Sequence, residues 1–167
     1  VDRKVILGGT KGYRYEFNSN EDITRIVTLN GATELYSQYF EYNASFKMTK
    51  KIENDGNFET WAYTASTITH TDKFGNVDVK TLDAANRIIS TSDYRGSVIY
   101  NYSSGGVLES TIHKNPANQT FKFIRNVFDV EGVLVTTEYR MTESFSETPY
   151  YQEYFAPNGN QTSTTYL

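Results

Sequence analysis

The chain has no cysteine, three prolines, two methionines and a single tryptophan among its 167 residues. Without cysteine, disulfide bonds and thiolate zinc sites are excluded. No apolar run approaches the roughly 20 residues that a membrane-spanning helix needs. The net charge is −4, with acidic and basic residues interspersed, so no basic stripe is present to neutralise phosphates. We therefore expect no nucleic-acid partner and no transmembrane segment.

Aromatic residues are abundant, with 14 tyrosines and 10 phenylalanines. Each ring buries a large apolar area, and a tyrosine hydroxyl can stay in contact with water. This composition favours sheet faces over a thick aliphatic core. The length is typical of one domain, and we predict a single repeat-built β domain over residues 1–167.

One seven-residue pattern recurs along the chain. It usually opens with an apolar or aromatic residue, continues with Asp, Asn or Ser and a short turn containing Gly or Asn, and closes with an aliphatic residue. Seven copies are recognisable, the last of them weaker: FNSNEDI from Phe17, YNASFKM from Tyr42, TDKFGNV from Thr71, LDAANRI from Leu82, YSSGGVL from Tyr102, FDVEGVL from Phe128 and FAPNGNQ from Phe155. Each copy predicts a β-hairpin.

Strand signals flank these copies. Aromatic residues alternate in Tyr13-Arg14-Tyr15-Glu16-Phe17, and β-branched runs such as Ile23 to Thr28 follow the turns. Further reversals are expected between the copies, at Asn30-Gly31, Asn54 to Asn57, Tyr94 to Gly96, Asn115 to Asn118 and Ser146 to Pro149.

The fold prediction is an all-β antiparallel β-meander of about a dozen short strands built from repeated hairpins, forming a curved open sheet or a partly closed barrel. Its edge strands are expected near Ile6-Leu7 and near Thr164–Tyr166. The nearest helix candidate, Thr81 to Ile89, matches the turn pattern better than a helical one.

The pattern is best developed from Thr71 to Ile112. Residues 72–77 read DKFGNV, residues 82–88 read LDAANRI, and Tyr100-Asn101-Tyr102 supplies a pair of aromatic residues. This segment resembles the bacterial YD-repeat, or Rhs-repeat, family. Members of that family are typically very large secreted or surface proteins whose repeats coil into β-sheet shells. The resemblance implies a repetitive antiparallel sheet and an extracytoplasmic location (periplasm, cell surface or secreted), and it brings no catalytic residue.

The beginning of the chain bears on the same expectation. It starts at Val1-Asp2 without Met and without the charged and apolar regions of a signal peptide. A trimmed leader would leave such a start, in agreement with the extracytoplasmic location.

The residues that usually carry chemistry are few or scattered. His70 and His113 lie in ordinary strand contexts, with no nucleophile elbow or metal-type spacing beside them. Acidic turns at residues 20–22, 54–57 and 72–78 offer oxygen ligands of the kind that Ca²⁺ prefers, but none completes a calcium loop. We predict no catalytic, cofactor-binding or metal site and no cofactor.

The leading functional hypothesis is a non-enzymatic scaffold or binding module of a secreted or envelope-associated bacterial protein. Its partner is expected to be a protein or a polysaccharide, held on an aromatic face of the sheet. Candidate rings occur at Trp61 and Tyr63, at Tyr36, Tyr39 and Phe40, and at Tyr150, Tyr151, Tyr154 and Phe155.

Two alternatives stay open. One is a glycan- or lipid-acting hydrolase that uses a carboxylate pair within the curved sheet. The other is that the chain is a fragment of a larger repeat array.

Overall fold

The structure, a computed structural model, describes residues 3–6, 11–143 and 148–166. These residues form fifteen β-strands and no helix. The described part of the chain therefore has no helix that is long and apolar enough to cross a membrane. The strands are β1 (Arg3–Ile6), β2 (Lys11–Phe17), β3 (Ile23–Asn30), β4 (Thr33–Tyr42), β5 (Met48–Ile52), β6 (Phe58–Tyr63), β7 (Thr67–Thr71), β8 (Val77–Leu82), β9 (Ile88–Asp93), β10 (Gly96–Tyr102), β11 (Leu108–Lys114), β12 (Thr120–Phe128), β13 (Leu134–Arg140), β14 (Tyr151–Phe155) and β15 (Gln161–Tyr166).

The strands fall into two compact units. One is drawn from Val1–Thr64 and Ile68–Val77, and the other from Ala65–Thr67 and Asp78–Leu167. Within each unit, neighbouring strands pair antiparallel in chain order. Every pairing between described strands joins consecutive strands, so neither unit closes into a barrel. The all-β meander is confirmed in its open form.

One turn geometry occurs nine times in the described residues. In each case the first turn residue donates its backbone N–H to the carbonyl of the fifth and accepts a bond from the N–H of the fourth, at 2.7–3.2 Å. The fourth residue has a positive φ between 58° and 85°. This is the geometry of a tight reversal followed by a bulge residue in the left-handed region. We call it the bulged turn. The nine copies begin at Asn18, Asn43, Glu53, Asp72, Asp83, Ser103, Asn115, Asp129 and Ala156.

All seven predicted copies of the pattern fold as bulged turns, and two further turns adopt the same geometry. These two, at residues 53–57 and 115–119, had been expected to be reversals of a separate kind. At Glu53 the first position lacks an Asx side chain, and Asp55 Oδ1 instead accepts the backbone N–H of Asn57 at 3.0 Å. The backbone geometry is therefore less dependent on the first side chain than the pattern suggested.

The fourth turn position explains most of the Gly in the pattern. Left-handed backbone is open to Gly and tolerated by Asn, whereas other side chains are strained there. Gly fills five of the nine positions and Asn two. Glu21 and Phe46 fill the other two, at φ 68° and 58°.

Tyrosine hydroxyls join neighbouring strands beside three of these turns. The hydroxyls of Tyr42, Tyr63 and Tyr102 donate to the carbonyls of Ile23, Met48 and Ile88 at 2.8, 2.8 and 3.0 Å. Each carbonyl belongs to the first strand residue after a bulged turn. These three tyrosines thus have a structural role, because each fixes the strand residue that follows a bulged turn.

Full burial is rare in the described residues. Among large apolar side chains only Val27, Leu29 and Phe123 are buried, and most strand residues are half-buried. The first two lie in β3 and the third in β12. Two of these three side chains are aliphatic, so aromatic rings do not dominate the few fully buried positions, although a thick aliphatic core is absent from the described residues as expected.

Three further sequence predictions concern the turns between strands. Asn30-Gly31 and Tyr94 to Gly96 reverse the chain between β3 and β4 and between β9 and β10. Thr81 to Ile89 is the end of β8, a bulged turn and the start of β9. Of the predicted corner at Ser146 to Pro149, Ser146 and Glu147 lie outside the described residues.

Candidate binding surfaces

Three tyrosine rings form a continuous aromatic surface across β13, β14 and β15. The rings of Tyr139 and Tyr151 are 5.0 Å apart between centroids, and those of Tyr151 and Tyr166 are 4.8 Å apart, tilted by 52° and 43°. Tyr166 is 81% exposed. We call this set the tyrosine surface.

Strand register brings the three rings together. Tyr139 is paired with Tyr151, and Tyr151 with Tyr166, and paired residues point to the same face of a sheet. The prediction that Tyr151 contributes to an aromatic surface agrees with this position. Sequence reasoning missed Tyr139 and Tyr166 because neither lies in an aromatic cluster in the sequence.

Glu153 joins two of these tyrosines. Its carboxylate accepts the hydroxyl of Tyr139 at 2.9 Å and that of Tyr151 at 3.1 Å. Burial, followed by the hydrogen bond to Glu153, raises the pKa of Tyr139 to about 12. The Lys122 ammonium lies 5.4 Å from the centroid of the Tyr139 ring. The surface therefore combines apolar rings with charged groups held next to them.

The other aromatic residues predicted for the surface differ in their exposure and packing. Tyr36, Tyr39 and Tyr150 are 39%, 41% and 40% exposed. Trp61 instead packs on His70, with ring centroids 4.7 Å apart.

A carboxylate pair lies beside Trp61 in the first unit. Lys51 Nζ is 2.7 Å from Glu53 and 4.0 Å from Glu59, and His70 Nε2 is 3.4 Å from Glu59. Burial, followed by the nearby charge of Glu59, raises the pKa of Glu53. Glu53 and Glu59 thus form one pair of neighbouring carboxylates of the kind that the hydrolase alternative requires.

The second histidine has a simpler setting. His113 Nε2 lies 3.3 Å from Thr111 Oγ1, and its ring meets Phe121 edge to face. Burial, and then the charge of Lys122, lowers the pKa of His113.

In the acidic turns, the carboxylate oxygens accept hydrogen bonds from other residues of the same turn. Asp72 Oδ1 accepts the backbone N–H groups of Phe74 and Asn76 at 2.8 and 2.9 Å, and Oδ2 accepts the Asn76 amide at 2.8 Å. In the described part of the chain, no group of three or more His, Asp or Glu side chains is placed to hold a metal ion.

Three shallow depressions lie in the second unit. They measure about 380, 640 and 400 Å³, and the second of them is lined by Arg87, Ser97 and Tyr102 among others. Neither Glu53 nor Glu59 lines any of the three.

No family model matches the chain, and no curated protein sequence does either. Solved structures do match. The chain shares its fold with part of the TcdB2-TccC3 complex.

Over 93% of its length the chain superimposes on 9% of a chain in the crystal structure of TcdB2-TccC3-Cdc42, with a TM-score of 0.69 and 13% sequence identity. The Tc holotoxin pore of Photorhabdus luminescens gives a TM-score of 0.68 at 12% identity, again over 93% of this chain and 9% of that one. The chain thus spans about a tenth of the length of these proteins. At such identities the likeness to TcdB2-TccC3 is one of fold.

Proposed function

We propose that the chain is a non-enzymatic scaffold or binding module of the YD-repeat type, within a secreted or envelope-associated bacterial protein. The tyrosine surface carries the binding part of this proposal, because its three rings lie side by side on adjacent strands and one of them is 81% exposed. The similarity of fold to part of a toxin complex supports the scaffold part.

The chemistry of the tyrosine surface suits a protein or polysaccharide partner. Aromatic faces stack on sugar rings and on partner side chains, and tyrosine hydroxyls add hydrogen bonds. Because the hydroxyls of Tyr139 and Tyr151 already donate to Glu153, they are left to act as acceptors toward a ligand.

The test compares the wild-type chain with a Tyr151→Ala/Tyr166→Ala double variant. Both are applied to an array of bacterial polysaccharides, and both are crosslinked through a photoreactive residue at position 164 to envelope proteins of the source bacterium. Tyr94→Ala is the matched control, since Tyr94 is 67% exposed in the β9–β10 turn. We expect the double variant to lose a ligand that the wild type and the control both retain. Equal binding by all three chains would overturn the proposed site.

A second candidate is the hydrolase, favoured by the raised pKa of Glu53 next to Glu59. It predicts turnover of glycan or lipid-ester substrates that is abolished in Glu53→Gln and in Glu59→Gln. Absence of turnover in the wild type across such a panel, together with retained binding at the tyrosine surface, would reject it in favour of the binding module.

A further inference from the structure

The strand β15 is paired along one side only. Among the described strands its sole partner is β14, so the backbone N–H and C=O groups along its other side meet no further strand. Natural sheets usually protect such an edge with charged residues or with proline. The six residues of β15 read QTSTTY, with no charge and no proline, and all but Thr165 are exposed. This edge of the sheet is therefore open to an additional strand.

Tyr166 presents an aromatic ring at the same edge. It is 81% exposed, and its ring contacts Tyr151 on the β14 side. A strand added to β15 would place one side chain directly opposite Tyr166, on the same face of the sheet. The identity of that side chain decides what the edge recognises.

Elsewhere in the sheet, the residue opposite a tyrosine is a cation. Arg25 in β3 is paired with Tyr39 in β4, and its Cζ lies 5.0 Å from the ring centroid. The same guanidinium donates to Glu34 at 2.8 Å. A cation over the face of an aromatic ring is attracted by the charge distribution of the ring. No Lys or Arg occurs after Arg140 in the sequence, so neither β14 nor β15 supplies a cation to Tyr166.

A carboxylate without a counter-charge lies on this part of the surface. Glu153 accepts the hydroxyls of Tyr139 and Tyr151 and, at 3.5 Å, the side-chain amide of Gln161, and all three donors are neutral. It is half-buried and forms no ion pair with a Lys or Arg of the described structure. Because a half-buried charge is costly unless it is paired, Glu153 favours a cationic ligand.

An arginine can reach this carboxylate from a strand beyond β15. The first unit shows the required span, since Arg14 in β2 bonds to Glu34 in β4 across the intervening strand β3. Glu153 would likewise lie two strands away from a strand added to β15. The residue between them is Thr164, which is paired with Glu153 and has a short side chain. The path from the added strand to the carboxylate therefore crosses only a small residue.

We propose that β15 binds an extended segment of a protein partner by strand addition, with an arginine of that segment over Tyr166 and bonded to Glu153. This inference rests on the proposed binding role of the tyrosine surface and names its ligand. In strand addition, backbone hydrogen bonds supply affinity and alternate side chains supply specificity. Arginine suits both contacts, because its planar guanidinium stacks on aromatic rings and pairs with carboxylates. A polysaccharide has no peptide backbone to pair with β15.

The probe is a short peptide of alternating Thr and Val with one central Arg. One matched peptide carries citrulline at the centre, which keeps the shape of arginine without its charge, and another carries Glu. A fourth peptide keeps the Arg but has methylated backbone nitrogens, so it cannot pair as a strand. Each peptide is titrated into the isotope-labelled full chain, and binding is followed by NMR and by amide hydrogen exchange.

We expect the arginine peptide to shift the signals of β15 and to protect its amides from exchange. The citrulline peptide should bind about tenfold more weakly, because it lacks the charge that both contacts use. The glutamate peptide should bind more weakly still, and the methylated peptide should not bind. Equal affinity for arginine and citrulline, binding of the methylated peptide, or no protection of β15 would overturn the proposal. Protection of β15 that rises with chain concentration without peptide would also overturn it, since the occupant would then be a second copy.

Variants of the two contact groups test the arginine position. Tyr166→Leu changes an exposed side chain and Glu153→Gln removes one charge, so each should reduce the preference for arginine over citrulline. Glu131→Gln makes the same charge change in the β12–β13 turn and should keep the full preference. A preference that is undiminished in both Tyr166→Leu and Glu153→Gln would contradict the assigned contacts.

A pair of adjacent variants tests the face of the strand. Thr164→Lys places a positive charge opposite Glu153, so it should weaken binding of the arginine peptide about tenfold and strengthen that of the glutamate peptide. Ser163→Lys makes the same change at the next exposed residue, which is paired with Tyr154 and faces the other side of the sheet. It should retain the preference for arginine. Equal effects of the two lysines would refute the assignment to the tyrosine face.

The outcomes separate this inference from the proposed function. If the arginine peptide fails to bind while Tyr151→Ala/Tyr166→Ala still loses a ligand found by array or crosslinking, the tyrosine surface is a binding site and the arginine strand is refuted. If the arginine preference persists in that double variant and no other ligand is lost, the tyrosine surface itself is refuted, and this inference with it.

Discussion

The hydroxyl of Tyr102 donates to the carbonyl of Ile88 at 3.0 Å, across the strands β9 and β10, while Arg87 lies over the same ring. The arrangement recurs in the first unit, where Tyr63 bonds to Met48 and Lys47 lies 5.0 Å from the ring centroid. In both cases the cation occupies the fifth position of a bulged turn and the carbonyl the next. Each of these tyrosines therefore bonds to the residue that directly follows a bulged turn, so the bond forms only when that turn is closed.

Replacing Tyr102 with Phe should lower the free energy of unfolding by about 1 kcal/mol, because one part-buried hydrogen bond is lost and the ring remains. Tyr100→Phe is the control, since its hydroxyl has no hydrogen-bond partner among the described residues. Urea denaturation of both variants measures the difference. Equal stability of the two would show that the bond contributes nothing.

Phe46→Gly should stabilise the chain. Phe46 has a φ of 58° and is 59% exposed, so its replacement relieves left-handed strain at little cost in buried area. The expected gain is up to about 1 kcal/mol, and Gly132→Ala, at the same position of another bulged turn, should lose about 1 kcal/mol. Thermal unfolding of both variants provides the measurement. Shifts of the same sign would disprove the strain argument.

Gly96→Ala should be much more damaging than Gly31→Ala. A Cβ at Gly96 would lie 2.0 Å from the carbonyl oxygen of Lys114, whereas one at Gly31 meets nothing within 4 Å. Both residues have positive φ, at 138° and 60°. We expect Gly31→Ala to lower the free energy of unfolding by about 1 kcal/mol, from backbone strain alone. Gly96→Ala should lower it by a further 1–3 kcal/mol, roughly, because the added Cβ overpacks the site. Similar denaturation midpoints would contradict the close approach.

Acid should destabilise the chain partly through Asp83. The backbone N–H of Arg87, and then its side chain, lower the pKa of Asp83. A folded-state pKa below the unfolded value of about 4 means that the carboxylate stabilises the fold above that pH. This contribution is lost as the pH falls through the lower, folded-state pKa.

The test is Asp83→Asn, which keeps the oxygen acceptor and removes the charge. Its free energy of unfolding should fall less than that of the wild type between neutral pH and acid. Glu131→Gln is the control, because Glu131 is exposed and its carboxylate makes no hydrogen bond within the described structure. A pH dependence in Asp83→Asn as steep as in the wild type would refute the role of Asp83.

Tyr139 should be among the last of the 14 tyrosines to ionise, with its pKa raised to about 12. Because the folded-state pKa exceeds the ordinary value of about 10, its stabilising contribution is complete below that pH and is lost as the pH rises to the folded-state value. Ultraviolet titration of tyrosinate in the wild type, in Tyr139→Phe and in Glu153→Gln measures this. Glu153→Gln should lower the Tyr139 pKa. An unchanged Tyr139 pKa in this variant would show that burial alone raises it.

The sequence was sufficient for the strands and for most turns because both depend on local chemistry. Asx and Gly residues at fixed offsets select the bulged turn, and alternating aromatic residues mark the strands. The copy at Glu53 was classed apart because its first position lacks an Asx side chain. Its stabilising side chain, Asp55, lies at the third position, as Asn158 does in the weak copy at Ala156. Phe46 at the left-handed position was likewise invisible, since its side chain opposes the conformation it adopts.

The binding surfaces were harder to predict because they depend on register. A bulge adds one residue to a strand, and a shift of one residue moves every later side chain to the other face. The pairing of Tyr139, Tyr151 and Tyr166 crosses three strands and requires the register of each. Arg87 and Gly106, which belong to different turns, meet only once the two hairpins are packed.

The consecutive pairing of strands has a consequence for the history and the assembly of such chains. Since each strand pairs only with the strands next to it in the sequence, two consecutive strands can be inserted or deleted at a turn without changing how the other strands pair. Such a change conserves which side of the sheet each later residue faces, whereas a change of one strand reverses the direction of everything that follows. Length variation in related chains should therefore come in hairpin-sized steps.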